Sequence, residues 1–224
     1  MKKMMLMFSA LAVYQMGFAQ FSWGVEATAN LASATVKDYG DIQYKKDMKL
    51  LPGAGAVVQY AWGNNITLRS GVQYQQKGVK VSAVLSEIVN HKVVVENNLH
   101  YVQVPLYVLY NIPLNNLKLY AGAGAYAGYG FSGKSKVANS YTMPNGSRNE
   151  THEKVDAFSK DDNNGAGFKK GDAGLSFQGG LQLSNGIYVQ GSYQLGLTNL
   201  ERSDEGKYRN NGIQLTVGYF FKGK

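Results

Sequence analysis

Three charged residues could form ionic interactions inside the protein, because each lies in a run where apolar residues alternate with small or polar ones. In an extended chain, every second side chain lies on the same face. Glu26, Arg69 and Lys118 all fall on the polar face of their runs. The same face also carries glutamines, among them Gln73, Gln103 and Gln178. Because an isolated buried charge is costly, we predict that Glu26, the one carboxylate that we place on an inward face, pairs with Arg69 at a similar depth, where Lys118 could join them. The alternative is that either side chain reaches periplasmic water and needs no partner.

Ser70 and His100 are the residues that would serve a lipid-facing hydrolase, in which a histidine activates a serine nucleophile. Both have outward parity on neighbouring runs. If the connecting hairpin closes near Glu87 and Ile88, His100 lies opposite about Gln75, which leaves Ser70 about 17 Å away at ~3.4 Å per residue. That separation exceeds hydrogen-bond reach, and no outward carboxylate completes a triad. We therefore predict no catalytic residues and no enzymatic activity.

No cofactor or metal site is indicated by the sequence. Gly122-x-Gly124-x-x-Ala127 resembles part of a dinucleotide-binding fingerprint, but it lies in an alternating run with no helix after it. The chain has no cysteine, which excludes thiolate chemistry, disulfides and a lipidated cysteine. The histidines have no second histidine or carboxylate at ligand spacing; they are His91, His100 and His152.

The elements that position these residues are strands, and Leu99–Phe131 sets their pattern. Apolar and polar residues alternate with period two up to the turn residues Pro113–Asn116, and the alternation resumes after them. Each arm is longer than the usual five or six residues of a soluble strand. Long strands with one apolar face are typical of transmembrane β-barrels.

The same alternation predicts eight strands in all. The two arms of Leu99–Phe131 are the fourth and fifth, and the others cover residues 23–34, 51–62, 66–77, 172–183, 187–197 and 213–221. Tight turns follow the even-numbered strands and long polar connections follow the odd-numbered ones. The fold predicted is an all-β, eight-stranded antiparallel up-and-down transmembrane barrel, with short periplasmic turns, extracellular loops and periplasmic termini.

The long connections are predicted to differ in form. Lys37–Lys49 is expected to be an exposed loop. Ser132–Lys170 lacks sustained periodicity and is expected to be a large mobile loop. Glu201–Asn210 is expected to be a charged loop. Between Lys77 and Lys92, the alternation of Val79, Val81 and Ala83 continues the third strand, and Val93–Val95 could pair back onto it in a hairpin that projects beyond the bilayer.

Aromatic residues with outward parity cluster near both ends of the predicted strands. Such girdles mark the two interfaces of a membrane barrel. The predicted girdle residues are Trp23, Tyr60, Trp62, Tyr110, Tyr219 and Phe221 at the periplasmic end and Tyr74, Tyr129 and Phe131 at the extracellular end.

Composition and the amino terminus indicate export. Residues 1–19 combine Lys2 and Lys3 with an apolar run that ends in Gly17-Phe18-Ala19, which predicts a secretory signal peptide before a barrel domain at 20–224. The mean hydropathy is negative, which excludes a helical membrane protein. The net charge is +8, but an exported chain is an unlikely nucleic-acid ligand, so anionic lipid headgroups or lipopolysaccharide are the expected partners.

Several short motifs resemble the PorT-like outer-membrane β-barrel family of Bacteroidota. The resemblance spans nearly the whole mature chain and is carried by Tyr101-Val-Gln-Val-Pro-Leu106, Leu119-Tyr-Ala-Gly-Ala-Gly124, Gly174-Leu-Ser-Phe-Gln-Gly-Gly180, Tyr193-Gln-Leu-Gly-Leu-Thr-Asn-Leu200 and Gly218-Tyr-Phe-Phe221. It implies an outer-membrane barrel, and one branch of the family serves protein secretion. This chain departs from the pattern by adding three residues after its aromatic end.

Together these observations predict a non-enzymatic outer-membrane barrel with a structural, membrane-integrity or surface-binding role and a lumen filled by side chains. Its expected partners are outer-membrane lipid and lipopolysaccharide, the barrel-assembly machinery during insertion, and a protein bound through the extracellular loops. Two alternatives stay open: an accessory component of a secretion system, and a soluble lipocalin-like barrel whose apolar face encloses a ligand.

Overall fold

A computed structural model describes residues 20–37, 44–86, 91–142, 146–159, 165–202 and 206–221. The predicted signal peptide, residues 1–19, lies outside the described residues, so that assignment stays a prediction. No helix in the described ranges is long and apolar enough to cross a membrane.

The described residues form eleven strands that pair antiparallel with their neighbours throughout. The strands are β1 (Phe21–Lys37), β2 (Tyr44–Asp47), β3 (Lys49–Trp62), β4 (Ile66–Lys77), β5 (Lys80–Ser86), β6 (His91–Pro113), β7 (Leu117–Thr142), β8 (Arg148–Asp156), β9 (Gly171–Leu183), β10 (Ile187–Gly196) and β11 (Lys207–Phe221).

Eight of these strands close into a ring. Its spatial order is β6-β4-β3-β1-β11-β10-β9-β7, and β7 pairs back onto β6. The amino-terminal and carboxy-terminal strands therefore lie side by side, from Trp23 opposite Phe221 to Lys37 opposite Lys207. The ring confirms the predicted eight-stranded antiparallel up-and-down barrel.

One end of the ring, which we call the turn end, carries three tight connections at the positions predicted from the sequence. They follow β3, β6 and β9 and include Gly63 and Gly186, whose φ angles of 71° and 98° suit glycine. Asn65 and Asn111 each donate a side-chain hydrogen bond to the other's carbonyl, at 2.9 and 3.1 Å. These bonds tie the start of β4 to the end of β6.

Side chains alternate across the wall of the ring as the sequence predicts, with polar groups inside and apolar groups outside. In β6, Gln103 and Tyr107 are buried, whereas Val104 and Leu106 are exposed. A soluble lipocalin-like barrel would need the opposite arrangement, because its apolar face encloses the ligand. The structure overturns that alternative.

The opposite end of the ring differs from the predicted loops. The prediction of a large mobile loop over Ser132–Lys170 is wrong where strands occupy it, because β7 continues to Thr142 and pairs with β8. The prediction of an exposed loop over Lys37–Lys49 is also wrong in part, since β2 lies within it, and Glu201–Asn210 overlaps the start of β11. The predicted pairing of this hairpin is confirmed: Val81 and Ala83 of β5 lie opposite Val95 and Val93 of β6.

The alternation of inward and outward side chains changes parity within β7, which explains why the sequence analysis did not predict residues 132–142 as part of the strand. Phe131 and Ser132 are both exposed, while Gly130 and Gly133 on either side of them are buried. The ladder with β6 shifts at the same level, between His100 and Tyr101. A β-bulge of this kind adds one residue to a strand and reverses the parity of the residues that follow. The alternation therefore continues with the opposite phase.

Above this bulge, five strands form a sheet that continues one side of the barrel. We call it the upper sheet; it comprises β2, β5, β8, residues 91–98 of β6 and residues 134–142 of β7. Its polarity is the reverse of that of the barrel wall: the inner face carries valines, and the outer face carries charged residues.

The close approach of β6 and β7 predicts a selective effect of adding a methyl group. At Gly122, a Cβ atom would lie 2.0 Å from the carbonyl oxygen of Val108, so the two backbones would have to separate. We expect Gly122→Ala to lower the free energy of unfolding by about 1–3 kcal/mol, measured by urea denaturation. At Gly191 nothing lies within 4 Å, so Gly191→Ala should leave stability unchanged or slightly raised. Equal losses in both variants would contradict this account.

Candidate functional site

Glu26 lies in the lumen at a level where the wall is lined by glycines. Its ladder partners are Gly55 on β3 and Gly218 on β11. The absence of a side chain at Gly218 makes room for the ring of Tyr188, which a Cβ atom there would meet at 2.3 Å. The Tyr188 hydroxyl donates a hydrogen bond of 2.5 Å to Oε2 of Glu26, and Gln73 Nε2 donates one of 2.5 Å to Oε1.

Arg69 lies lower in the lumen and has different partners. Its guanidinium donates to Oε1 of Gln190 at 2.8 Å and to Oε1 of Gln59 at 3.2 Å. Its Cζ atom also lies 4.6 Å from the ring centre of Tyr120 and 5.2 Å from that of Tyr188. Amide oxygens and ring faces thus surround this cation in place of a carboxylate.

The predicted ion pair between Glu26 and Arg69 is therefore wrong. Both side chains are described, and each has its own separate partners. The ladder explains the difference: Glu26 is level with Gly55 and Gln73, whereas Arg69 is level with Gln59, further towards the turn end. Tyr188 links the two, since its hydroxyl binds Glu26 and its ring faces Arg69.

The prediction that Lys118 joins this pair is also wrong. Its side chain is half-buried at the turn end, in a cavity of about 290 Å³ shared with Gln182 and Phe220. Among the described carboxylates, none lies within ion-pair distance of Lys118.

The predicted glutamines are all buried in the lumen but differ in their contacts. Gln103 Nε2 donates to Oε1 of Gln73 at 3.2 Å, so a chain of hydrogen bonds runs from Gln103 through Gln73 and Glu26 to Tyr188. Gln178 is buried as well, but its amide has no hydrogen-bond partner among the described residues. The structure thus joins two of the three glutamines to Glu26.

A second buried charge pair, between Lys77 and Asp172, was missed by the sequence analysis. Lys77 Nζ lies 3.0 Å from Oδ2 of Asp172, and the side chains are 5% and 0% exposed. Asn210 Nδ2 also donates to this oxygen, at 3.1 Å, and the Tyr126 ring centre lies 4.1 Å from Nζ. Asp172 has the same parity as the buried Ser176 in its own strand, so Glu26 is not the only inward carboxylate. The parity of Asp172 could therefore have identified it from the sequence.

Above this pair, apolar side chains close the lumen. We call this group the lumen cap; it comprises Ala34, Val36, Val79, Leu99, Tyr101, Ala157, Phe158, Phe168, Leu200 and Tyr208. Phe158 and Phe168 come from the segment predicted to be a loop. Phe158 packs edge-on against Tyr101, with ring centres 6.0 Å apart. The lumen is thus filled by polar side chains and covered by apolar ones.

The predicted girdle residues lie on the outer surface, near the two ends of the wall. At the turn end, the rings of Trp23 and Phe221 lie 4.2 Å apart, and Trp62, Tyr110 and Tyr219 are exposed, while Tyr60 is half-buried. At the level of the bulge, Tyr74 and Phe131 lie 6.3 Å apart. Tyr129, beside them, is exposed. Their role at a membrane interface stays a prediction.

The outer face of the upper sheet carries a row of charges in cross-strand register. The row runs across five strands through Asp47, Lys80, Glu96, Lys136 and Lys154. Lys49 Nζ lies 2.6 Å from Oε1 of Glu96, and its hydrogen bond lowers the pKa of that carboxyl. Further exposed lysines on the same face are Lys45, Lys92 and Lys134. Lysines therefore dominate this face.

Ser70 and His100 do not meet. His100 lies opposite Gln76, one residue from the expected position, whereas Ser70 lies opposite Leu106. The Ser70 hydroxyl donates to the carbonyl of Pro105 at 2.7 Å, and Nδ1 of His100 is hydrogen-bonded to the Tyr74 hydroxyl at 2.7 Å. In the described ranges, no group of three or more histidine, aspartate or glutamate side chains is arranged to hold a metal ion.

Comparison with known families decides the class of protein. The model of a family described as an outer membrane protein beta-barrel domain matches residues 18–202. This chain belongs to that family. It is an outer-membrane β-barrel, in agreement with its apolar outer wall and closed ring. No curated protein matches the chain.

Among solved structures, the chain is similar at low identity to the three proteins that follow. The attachment invasion locus protein Ail of Yersinia pestis is 15% identical, with 89% of this chain and 99% of Ail covered and a TM-score of 0.38. Neisserial surface protein A is 14% identical, with 89% and 97% covered and a TM-score of 0.37. The amino-terminal barrel domain of OprF from Pseudomonas aeruginosa is 14% identical, with 88% and 97% covered and a TM-score of 0.33.

The contacts of Glu26 predict a marked effect of its removal on stability. Glu26→Ala would leave the Tyr188 hydroxyl and the Gln73 amide without their charged acceptor inside the lumen. We expect it to lower the free energy of unfolding by about 3 kcal/mol, measured by urea denaturation in detergent. Glu150→Ala, which removes an exposed carboxylate of β8, is the matched control and should change stability by less than about 0.5 kcal/mol. Unchanged stability in Glu26→Ala would rule out this role for the network.

Proposed function

We propose that this chain is a non-enzymatic outer-membrane barrel that is closed to flow and that binds anionic groups of outer-membrane lipid, foremost lipopolysaccharide, through its upper sheet. The observation that carries the proposal is the lysine-rich outer face of that sheet, in which β6 and β7 continue past the aromatic residues of the wall. Phosphate groups are the anions that such a face would attract, at about 1 kcal/mol per lysine near the surface.

The orientation that we propose places the turn end in the periplasm and the upper sheet outside the cell. Outer-membrane barrels have short periplasmic turns and longer extracellular connections, and the three tight connections here all lie at one end. Phe21 and Phe221, close to the two ends of the described chain, lie at that same end. Both termini are therefore proposed to be periplasmic.

The proposed closure rests on the contents of the lumen. Eight strands enclose only enough space for side chains or one small ligand. Here Arg69, Tyr120 and Tyr188 cross the lower lumen, the Lys77–Asp172 pair lies above them, and the lumen cap covers both. Neither the closed lumen nor lipid binding by the upper sheet requires a catalytic residue.

Planar-bilayer recording tests the closure. We expect the purified protein to give no steady conductance, because the polar side chains are hydrogen-bonded across the lumen and the cap is apolar. A large porin reconstituted in the same way serves as the positive control. A stable, porin-sized conductance from the unmutated protein would overturn the proposed closed lumen.

Charge reversal tests the lipid-binding face. We expect Lys80→Glu, Lys136→Glu and Lys154→Glu together to weaken binding of nanodisc-embedded protein to lipopolysaccharide at least about tenfold, since each lysine contributes roughly 1 kcal/mol. The matched control reverses three exposed lysines that lie off this face: Lys46, Lys169 and Lys207. It alters net charge equally and should retain binding. Equal loss in both triple variants would show that net charge alone is responsible and would reject the assigned face.

A second candidate is an accessory role in protein secretion, which resemblance to the secretion branch of the PorT-like family allows. The structural feature that favours it is the pair of strand edges that β2 and β8 present at the two ends of the sheet order. Such edges can pair with a strand of another protein. Recovery of stoichiometric secretion proteins with the solubilised barrel would favour the secretion role over the stand-alone function. Recovery of the barrel with lipopolysaccharide alone would support the stand-alone function.

A further inference from the structure

The strand β8 forms one end of the upper sheet and presents a long, regular edge. Among the described residues, only Gly165 pairs with that edge, at Asp156. Every residue of β8 except Val155 is exposed, and its ladder with β7 is unbroken over nine residue pairs. The strand contains no proline, whereas β2, at the other end of the sheet order, has only four residues. An edge like that of β8 is a template for pairing with another strand.

Backbone hydrogen bonds show which groups of β8 point to its free edge. The Ala157 amide donates to the carbonyl of Gly133 in β7 at 3.1 Å, whereas the Asp156 carbonyl accepts from the Ala166 amide on the opposite side at 2.8 Å. Successive residues of a strand direct their backbone groups to opposite edges. The groups on the free edge therefore belong to the even-numbered residues Arg148, Glu150, His152 and Lys154, and the edge ends at Asp156.

The charges on this edge select one register for pairing with a second copy of β8. Antiparallel pairing sets outward-pointing residues opposite one another, so the register can change only in steps of two residues. A pair centred on His152 sets Glu150 opposite Lys154 at two symmetric positions. A step in one direction sets Arg148 opposite Lys154, and a step in the other sets Glu150 opposite Asp156. Opposite charges stabilise a cross-strand pair and like charges destabilise it, so the register centred on His152 is favoured.

The existing contacts of Glu150 and Lys154 are compatible with this pairing. Glu150 Oε1 lies 2.6 Å from Nη2 of Arg148, but the side chains are 44% and 68% exposed, and an ion pair so exposed contributes little. Lys154 is exposed and lies opposite Lys136 in the ladder with β7. Among the described carboxylates, none is within ion-pair distance of Lys154. An incoming carboxylate would therefore offset the repulsion between the two lysines.

The symmetry of such a pair determines where the second copy lies. Two identical antiparallel strands of one sheet are related by a two-fold axis perpendicular to the sheet. The upper sheet continues the barrel wall, because β6 and β7 each run through both, so this axis lies close to the membrane plane. A two-fold axis in that plane turns one copy upside down relative to the other. Both copies thus cannot be inserted in one membrane with the same orientation.

We propose that β8 pairs antiparallel with β8 of a second copy in an opposing membrane and so joins two membrane surfaces. A single contact over residues 150–154 is weak, but many copies in two facing membranes act together through their high effective concentration. The inference goes beyond the proposed function, since it does not depend on binding of lipopolysaccharide by the lysine-rich face. The pairing would occupy one of the two edges considered for the secretion role.

Disulfide trapping tests the register, because the chain contains no cysteine of its own. His152→Cys protein is reconstituted into two populations of phosphatidylcholine vesicles, each with a different tag on the protein, which are then mixed and oxidised. In the proposed ladder, the Cα atoms of residue 152 in the two copies lie about 5.5 Å apart, a separation that suits a disulfide. We expect disulfide dimers that contain both tags.

Arg148→Cys is the matched control for this experiment. It places an exposed thiol on the same strand and the same face, but its two copies would lie eight residues apart along the ladder, about 27 Å at ~3.4 Å per residue. We expect at least tenfold fewer mixed dimers from it. Equal yields from the two variants, or no dimers from His152→Cys, would overturn the pairing. Dimers that contain a single tag only would overturn the opposing-membrane arrangement.

Charge exchange tests the two Glu150–Lys154 pairs, with clustering of phosphatidylcholine vesicles measured by light scattering. Glu150→Lys and Lys154→Glu each set like charges opposite one another, so either variant alone should cluster its vesicles at least tenfold more slowly than the unmutated protein. Mixing the two vesicle populations sets opposite charges together again and should restore clustering. The double variant Glu150→Lys/Lys154→Glu, which keeps the original net charge, should also restore it.

Two controls accompany the charge exchange. Lys46→Glu, on β2, changes net charge as Lys154→Glu does and should cluster normally, and heat-modifiable gel migration shows that each variant is folded. The vesicles contain no lipopolysaccharide, so loss of the lysine-rich binding face cannot account for the result. Failure of the unmutated protein to cluster vesicles, or of both the mixture and the double variant to restore clustering, would overturn the assigned pairs.

Discussion

The pairing of β1 with β11 is the contact on which the rest of the structure depends. It joins the two ends of the described chain over fifteen residue pairs and turns a sheet with open edges into a ring. In hydrocarbon, an unpaired strand edge would leave backbone groups without hydrogen bonds, so the wall is tolerated only when it is closed. Closure at eight strands also fixes a narrow lumen. The buried charges must then find partners among the few side chains that fit there.

Much of the barrel could be predicted because a wall between lipid and a polar lumen imposes a strict period of two. The alternation in β4, β6 and β9 identifies inward and outward residues without any knowledge of their neighbours. The tight turns could be found for a similar reason, since Gly63 and Gly186 need φ angles that glycine readily adopts. These features are local, and each can be read from a few consecutive residues.

The contacts of the lumen could not be predicted in the same way, because they depend on register. Counting from the strand ends placed Glu26 and Arg69 at one depth, whereas the ladder sets them at different levels. The upper sheet was missed for a different reason. Its strand β8 has no apolar face, and the bulge after Gly130 reverses the parity of β7, so no continuous alternation remained to be recognised.

The reversal of polarity at the bulge also has a consequence for membrane insertion. Below it, valines and leucines of β6 face outward; above it, Glu96 and the lysines of the neighbouring strands do. Moving the barrel along the membrane normal in either direction would expose apolar side chains or draw ammonium groups into hydrocarbon, so its depth is fixed. In the orientation that we propose, with the upper sheet outside the cell, those lysines must cross the bilayer when the barrel inserts.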